Sequence, residues 1–147
     1  MPTWQPDLAP LLSRIPKLYL LLRAASDAVT ADLGVTAGMR TVMASLADAG
    51  PRTVPELARE RSASRQHLQT VVNDLLAAAL AQALPNPAHR RSPLIALTED
   101  GVRRLRQVRE RETQMLARAA PAVAYADIAA AMRLFDALER NLSGAAR

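Results

Sequence analysis

Five polar side chains between residues 65 and 73 offer the clearest chemistry in this sequence. Hydrophobic residues recur every three or four positions from Leu68 to Ala79, which predicts a helix with one buried face. The polar residues fall on the opposite face and are Arg65, Gln66, Gln69, Thr70 and Asn73. Guanidinium, amide and hydroxyl groups bond to base edges and phosphates, so we interpret this face as a DNA-reading surface. The alternative interpretation is an ordinary solvated helix face.

A shorter helix is predicted directly before this polar-faced helix. Thr53 followed by Glu56 three residues later has the pattern of a capping box, which starts a helix that ends near Arg61. Ser64 is the predicted N-cap of the polar-faced helix, and we expect it to lie against the DNA backbone. Two helices joined by a tight turn, with the polar face on the second, form a helix-turn-helix.

A basic hairpin is predicted after the second helix. Residues 80–84 and 94–97 are candidates for two short strands, and the prolines between them exclude a helix. Arg90 and Arg91 lie at the tip, where we expect them to grip the adjacent minor groove or the flanking phosphates, since a minor groove attracts guanidinium groups. Thr98 then caps a long helix with acidic residues in its first turn.

In this order, the motifs resemble those of the MarR family of bacterial transcription regulators. The runs that carry the resemblance are TVPELA at 53–58, SRQH at 64–67, NPAHRR at 86–91 and LTEDG at 97–101. The resemblance implies a mainly α-helical fold with a small β-hairpin wing, a winged helix-turn-helix with N- and C-terminal dimerisation helices. One position departs from the family's pattern. Family wings usually carry an aspartate two residues before the tip arginine, where it helps to hold the hairpin, and His89 stands there in this chain.

The distribution of charge agrees with a nucleic-acid partner. Between Arg52 and Arg111 there are 11 arginines and 6 acidic residues, so this segment carries the whole formal net charge of +5. Clustered positive charge is the electrostatic footprint of a nucleic-acid binder. We therefore expect double-stranded DNA as the partner.

Composition bounds the fold and the location of the protein. The 147 residues suit a single domain, and 50% hydrophobic with only 3% aromatic residues predicts a core of Leu, Val and Ala between closely packed helices. The absence of cysteine excludes disulfides and thiolate metal sites. No apolar run reaches the length of a membrane span and no signal-peptide pattern is present, so we expect a cytoplasmic protein with no membrane partner.

Hydrophobic stripes flank the DNA-binding lobe, which we place at about residues 36–105. The first stripe runs from Leu8 to Leu22, with Pro16 expected to kink its helix or to delimit a first turn. The last helix is predicted over about 126–142, with Gly144 ending it. We expect the regions at about 7–33 and 106–147 to form a homodimer, which would bind an inverted repeat. The alternative is that these stripes pack back onto a monomer.

The sequence offers no catalytic constellation and no metal or cofactor motif. His67 and His89 fall in different predicted elements, and zinc-binding, phosphate-loop and nucleophile-elbow motifs are missing. We therefore predict that the chain is not an enzyme and needs no cofactor. The family resemblance implies a small aromatic or anionic effector. Its candidate lining residues are Ile15, Tyr19, Met39, Met43 and Met115, although core packing is the alternative role for each.

These patterns together predict a sequence-specific, DNA-binding transcription regulator, a dimeric repressor that a small-molecule ligand releases from DNA. Two other classes stay open at this point. One is a winged-helix protein-interaction module without specific DNA binding. The other is a helical dimer that sequesters a ligand or acts as an enzyme, which the missing catalytic set disfavours.

Overall fold

The fold is described by a computed structural model over residues 7–145. In this range the chain forms seven α-helices and one two-stranded sheet. The helices are α1 Ala9–Leu12, α2 Ile15–Thr30, α3 Ala37–Ala49, α4 Val54–Glu60, α5 Arg65–Ala77, α6 Glu99–Ala119 and α7 Tyr125–Ala145. The strands are β1 Ala81–Leu84 and β2 Leu94–Leu97. This confirms the predicted fold class, a mainly helical chain with a small β-hairpin wing.

The chain separates into two compact units, and the division falls between Met115 and Leu116 inside α6. In the first unit, α1 is a single turn and α2 begins anew at Ile15, with Pro16 in its first turn. The proline therefore delimits a first turn, because its missing amide is harmless at a helix start. A 3-10 turn at Ala31–Leu33 ends at Gly34, whose φ of 64° lies in the left-handed region.

Side-chain caps start α4 and α5, as predicted. The Thr53 hydroxyl accepts from the Glu56 amide while the Glu56 carboxylate accepts from the Thr53 amide, which completes the capping box of α4. The Ser64 hydroxyl caps α5 by accepting from the His67 amide at 3.1 Å. The largest fully buried side chains lie on α3, α4, α5 and α6 and are Met43, Leu57, Leu68, Leu75, Val42, Val72 and Val108. The three helices α3 to α5 therefore share one hydrophobic core.

One residue predicted on the buried face of the second helix lies elsewhere. Ala79 is exposed and follows the end of α5, with a φ of 55° in the left-handed region. The Leu80 amide bonds to the Leu75 carbonyl at 2.9 Å and the Ala79 amide to the Leu76 carbonyl at 3.0 Å, which is a Schellman motif. This reversal brings Leu80 and Ala81 into the core, and the helical periodicity alone did not indicate it.

The wing is an antiparallel hairpin in which Ala81 pairs with Leu97 and Leu84 with Leu94. Arg52 adds a bridge on the other side of β2, since its amide and carbonyl bond to Ile95 at 3.1 and 2.7 Å. The strand β2 is thus bonded on both of its edges, to β1 on one side and to Arg52 on the other. This contact could not be predicted from the sequence, because the two residues are remote along the chain.

The start of α6 is packed against the end of α5. The Thr98 hydroxyl accepts from the Gly101 amide at 3.0 Å and donates to the Ala79 carbonyl at 2.8 Å. A Cβ atom at Gly101 would lie 2.0 Å from the carbonyl oxygen of Leu80, so only glycine fits. Further along α6, Leu105 and Val108 enter the core of the first unit.

The second unit contains the last turn of α6 and the helix α7. Gly144 was predicted to end this helix, but α7 continues through it to Ala145. A glycine in a helix costs only about 1 kcal/mol and breaks no backbone hydrogen bond, so it does not terminate the helix by itself. Among residues 7–145, no helix combines the length and the hydrophobicity that crossing a membrane requires.

Candidate nucleic-acid interface

The predicted reading face lies on α5 and is open to solvent. Its five polar residues, Arg65, Gln66, Gln69, Thr70 and Asn73, are all exposed. The opposite face carries Leu68, Val71, Val72 and Leu75, which are buried. The helix is thus anchored by its apolar face and presents its hydrogen-bonding groups outward, the arrangement that a helix needs to enter a major groove.

Two hydrogen bonds organise the side chains on this face. Gln69 donates from Nε2 to Oδ1 of Asn73 at 2.9 Å, one turn further along α5. The Thr70 hydroxyl donates to the Gln66 carbonyl at 3.1 Å, a bond within the helix itself. Gln69 and Asn73 therefore form a joined amide pair, whereas Thr70 turns its donor back to the backbone.

The wing and α5 border a common cleft. A cavity of about 370 Å³ is lined by Arg65, Gln66 and Gln69 of α5 and by Arg91, Ser92 and Pro93 of the wing, with Val54 and Pro55 of α4. The structure thus brings Arg91 together with three of the predicted α5 residues. Arg90 is exposed nearby in sequence but does not line this cleft. Two arginines at one cleft make it electropositive, as a phosphate-binding surface requires.

Hydrogen bonds and an ion pair to two carboxylates stabilise the elements that surround this surface. The Thr53 amide and hydroxyl, each 2.8 Å from Glu56 Oε2, hold the pKa of Glu56 below its ordinary value of 4.5. The Arg111 guanidinium binds both carboxylate oxygens of Asp32 and holds the pKa of Asp32 below 3.8. These ion pairs and caps fix the start of α4 and join α6 to the turn after α2.

A second, larger cavity lies on the other side of α5, away from the wing. It has a volume of about 650 Å³ and is bounded by α2, α3 and the start of α5. Its polar lining residues include Arg23, Ser26, Arg40, Arg61 and His67, and its apolar ones include Leu22, Leu68 and Val71. We call this cavity the α2–α5 groove. The sequence did not indicate it, because residues from four separate segments meet there.

Arg40 is the most constrained charge in the α2–α5 groove. Its guanidinium bonds to Asp27 at 2.7 Å and to the Thr30 hydroxyl at 2.9 Å, and lies 3.6 Å from Glu112. Glu112 in turn accepts a hydrogen bond from Ser26. Arg40 therefore joins α3 to α2 and α6, and its charge is already balanced by carboxylates.

The five residues predicted to line an effector pocket are not brought together. Tyr19 lines the α2–α5 groove and is exposed. Met39 and Met43 lie in the hydrophobic core, with 4% and 0% of their surface exposed. Ile15 is exposed at the start of α2, and Met115 is half-buried on α6. The two buried methionines therefore pack in the hydrophobic core, which was the alternative role for them.

Comparison with known proteins places the chain among related sequences and folds. No family model matches the chain. Uncharacterized proteins of Mycobacterium tuberculosis and Mycobacterium bovis are 37% identical over 136 residues, which is 92% of this chain and 92% of theirs. The crystal structure of a MarR family transcription regulator superposes with a TM-score of 0.85 at 25% identity, covering 95% of this chain and 93% of that one.

Two further structures carry information about ligands of similar folds. A mutant of Escherichia coli MarR, in complex with operator DNA, has a TM-score of 0.77 at 20% identity and covers 90% of this chain and 95% of that one. Bordetella bronchiseptica BpsR, whose DNA binding is regulated by 6-hydroxynicotinic acid, has a TM-score of 0.74 at 20% identity, with 88% and 98% covered. The order of elements, the capped helix-turn-helix, the wing and these likenesses lead to one assignment. This chain has the winged helix-turn-helix fold of the MarR family of transcription regulators.

Proposed function

We propose that this protein is a homodimeric repressor that binds an inverted-repeat operator and leaves it when a small effector binds. The observation that carries the proposal is the exposed polar face of α5, which shares a cleft with Arg91 of the wing. A base-reading helix beside a basic wing can contact the major groove and the neighbouring backbone at once. Such bipartite contact favours a defined DNA register over loose electrostatic binding.

The proposed contacts divide by chemistry. Gln66, Gln69 and Asn73 carry amides, which both donate and accept and so can distinguish base edges. Arg65 at the first turn of α5, with Ser64, would bind phosphates and fix the register. The Thr70 hydroxyl donates to the Gln66 carbonyl, so it would offer its oxygen as an acceptor to a base amine. Arg90 and Arg91 would insert into the minor groove or hold the flanking phosphates. This assignment makes α5 responsible for sequence preference and the wing mainly for affinity.

The proposed dimer is supported by apolar side chains that the single chain leaves uncovered. On α2, Leu18, Leu20 and Leu21 are more than half exposed. On α7, Ile128 and Met132 are also more than half exposed. Several large apolar side chains left uncovered on one helix are typical of protein-protein interfaces. We propose that a second copy of the chain covers both faces, so that two reading helices stand about one DNA turn apart.

Light scattering after size-exclusion chromatography tests the dimer directly. The expected mass at micromolar concentration is twice the chain mass of 15.9 kDa. Replacing Leu18 and Leu21 by serine should shift the mass toward the monomer and weaken DNA binding, because each reading helix would then bind alone. A wild-type monomer at these concentrations would remove the dimer from the proposal.

The proposed effector site is the α2–α5 groove. Its volume of about 650 Å³ lies within the range of small-molecule pockets. Arg23, Arg61 and His67 are on its lining beside apolar side chains, which suits an aromatic anion. Since His67 is on α5, an occupant would touch the reading helix itself. BpsR, which a hydroxylated pyridine carboxylate regulates, offers a precedent in a similar fold.

Effector binding can be tested with a panel of aromatic carboxylates such as benzoate, salicylate and hydroxynicotinate. An effector should raise the melting temperature and lower operator affinity in the wild type. Tyr19→Ala and Arg61→Ala should reduce both responses, whereas Arg109→Ala, which does not line the groove, should leave them unchanged. If saturating concentrations change neither quantity, this ligand class is excluded.

Selection of bound sequences from a random duplex pool tests the operator. The proposed function predicts an inverted repeat whose half-sites are about one helical turn apart. Repression is then tested by transcription in vitro from a promoter that overlaps the selected site. The outcome that overturns the proposal is a pool without consensus, which would favour a winged helix that binds a protein instead.

A further inference from the structure

We propose that Asn86 is the residue that holds the wing in its DNA-binding shape. Asn86 is half-buried at the end of the first arm of the hairpin. Its Oδ1 accepts from the Ala88 amide at 3.1 Å, and its Nδ2 donates to the Ser92 carbonyl at 2.9 Å. Its own carbonyl accepts from the His89 amide at 3.2 Å. One side chain thus bonds to both arms of the hairpin.

These bonds matter because the strand ladder ends before the tip. The last paired residues of the ladder are Leu84 and Leu94, and residues 85–93 between them form the loop. Prolines at 85, 87 and 93 have no amide donor to give to a longer ladder. Two backbone bonds form turns within the loop, from the His89 amide to the Asn86 carbonyl and from the Ser92 amide to the His89 carbonyl. The side-chain amide of Asn86 adds the bond that joins residue 86 to residue 92 directly.

The carboxamide is chemically specific to this task. Its oxygen accepts from one arm while its nitrogen donates to the other, which neither a carboxylate nor a hydrocarbon does. An aspartate at 86 would keep the acceptor for Ala88 but would turn an oxygen toward the Ser92 carbonyl. His89 takes part in the turn through its main chain, since its amide donates to the Asn86 carbonyl.

The bond to Ser92 fixes the neighbourhood of Arg91. Arg91 precedes Ser92 in the chain, and both line the cleft that Arg65 and Gln66 share. Holding the Ser92 carbonyl therefore holds the Arg91 backbone at a set distance from α5. Asn86 touches no DNA in this scheme and acts as a positioning residue through Ser92. This step rests on the proposed contact between Arg91 and DNA.

Hydrogen exchange and DNA binding together test the proposal on the full-length protein. In Asn86→Ala, amide exchange at Ala88 should accelerate at least about fivefold, because its bond to the Asn86 Oδ1 is lost. The His89 and Ser92 amides bond to backbone carbonyls, so their exchange should accelerate less. Asn86→Asp should leave exchange at Ala88 slow, because the acceptor for that amide remains, while the bond to the Ser92 carbonyl is lost and operator binding weakens. Gln107→Ala, which removes an exposed carboxamide from α6, is the matched control and should leave the wing unchanged.

On the selected operator, Asn86→Ala should weaken binding about tenfold and should reduce the salt slope by about one unit, like Arg91→Ala. The double variant should be no weaker than Arg91→Ala alone, because both changes remove one contact. Unchanged exchange in Asn86→Ala would overturn the proposal, as would fully additive losses in the double variant. If Arg91→Ala itself binds normally, the proposed Arg91 contact fails, and the exchange data alone then decide whether Asn86 holds the wing.

Discussion

Gln69 and Asn73 are joined across one turn of α5 by a hydrogen bond of 2.9 Å from Nε2 to Oδ1. The bond occupies one lone pair of the Asn73 Oδ1, while both N–H donors of its Nδ2 remain free to bond to DNA. Gln69 keeps its Oε1 acceptor and one N–H donor, the pair that matches N6 and N7 of adenine. The two amides therefore present different patterns to the DNA although their chemistry is the same.

From this pairing we predict non-additive effects on base preference. Gln69→Ala should cost about 1–3 kcal/mol of operator affinity and should relax the preference for adenine at one position of each half-site. Asn73→Ala should also disturb that position, because Gln69 loses the partner that orients it. A double-mutant cycle on the selected operator measures the coupling. Independent, additive losses would mean that the two amides do not act as a pair.

We predict that Arg91→Ala weakens DNA binding and lowers the log-log salt slope by about one unit, since one phosphate contact is lost. Arg109→Ala is the matched control, because it removes the same charge from a residue paired with Asp48 on another surface. Anisotropy titrations at several salt concentrations give both slopes. Equal slopes for the two variants would remove Arg91 from the contact set.

We predict that Gly101→Ala is severely destabilising. The added methyl would meet the Leu80 carbonyl oxygen at 2.0 Å, and moving this backbone would disturb the junction between α5 and β1. We expect a loss of about 3 kcal/mol or more in the free energy of unfolding, as for other overpacked sites. Gly144→Ala, where a Cβ meets nothing within 4 Å, is the control. Similar stabilities for the two variants in urea would contradict the packing at Gly101.

We predict that Ala79→Gly stabilises the protein by about 1 kcal/mol, because Ala79 has a φ of 55° and glycine adopts this conformation without steric cost. Ala78→Gly is a useful comparison, since Ala78 has a φ of −81° at the neighbouring position. That substitution should destabilise slightly. Urea unfolding of both variants is the measurement, and a loss of stability in Ala79→Gly would argue against a left-handed residue there.

We predict a loss of stability in acid that involves Glu56 and Asp32. The pKa of each carboxyl is lowered in the folded state, so its contribution is present above the unfolded pKa and disappears as the pH falls through the lower folded value. The unfolding free energy should therefore fall as the pH drops below about 4.5. A double variant, Glu56→Gln with Asp32→Asn, should show a flatter pH curve. Identical slopes from pH 5 to pH 3 would exclude these two groups.

The sequence predicted those parts of the fold that short segments determine. The caps at Thr53, Ser64 and Thr98 depend on residues within one helical turn, and all three form as expected. The prolines of the wing and the buried periodicity of α5 are local in the same sense. The predictions that Ala79 lies on the buried helix face and that Gly144 ends the last helix were wrong, because helix ends depend on tertiary packing as well as on residue type.

The sequence did not predict the parts of the site that are built from segments far apart along the chain. Arg52 joins β2 from before the helix-turn-helix, and Arg40 joins carboxylates on α2 and α6. The α2–α5 groove likewise needs four segments to meet. The importance of Asn86 was hidden for a different reason. An Asn-Pro dipeptide predicts a turn, but only the folded hairpin brings the side-chain amide of Asn86 to the Ser92 carbonyl.

Sequence reading by α5 is tested by comparing affinities for the selected operator and for a scrambled duplex of the same length, measured by anisotropy at physiological salt. We expect a preference of about a thousandfold or more for the operator. Replacing Gln66, Gln69 and Asn73 by alanine should remove most of that preference while weaker, salt-dependent binding remains. Equal affinity of the wild type for both duplexes would contradict the claim that α5 reads DNA sequence.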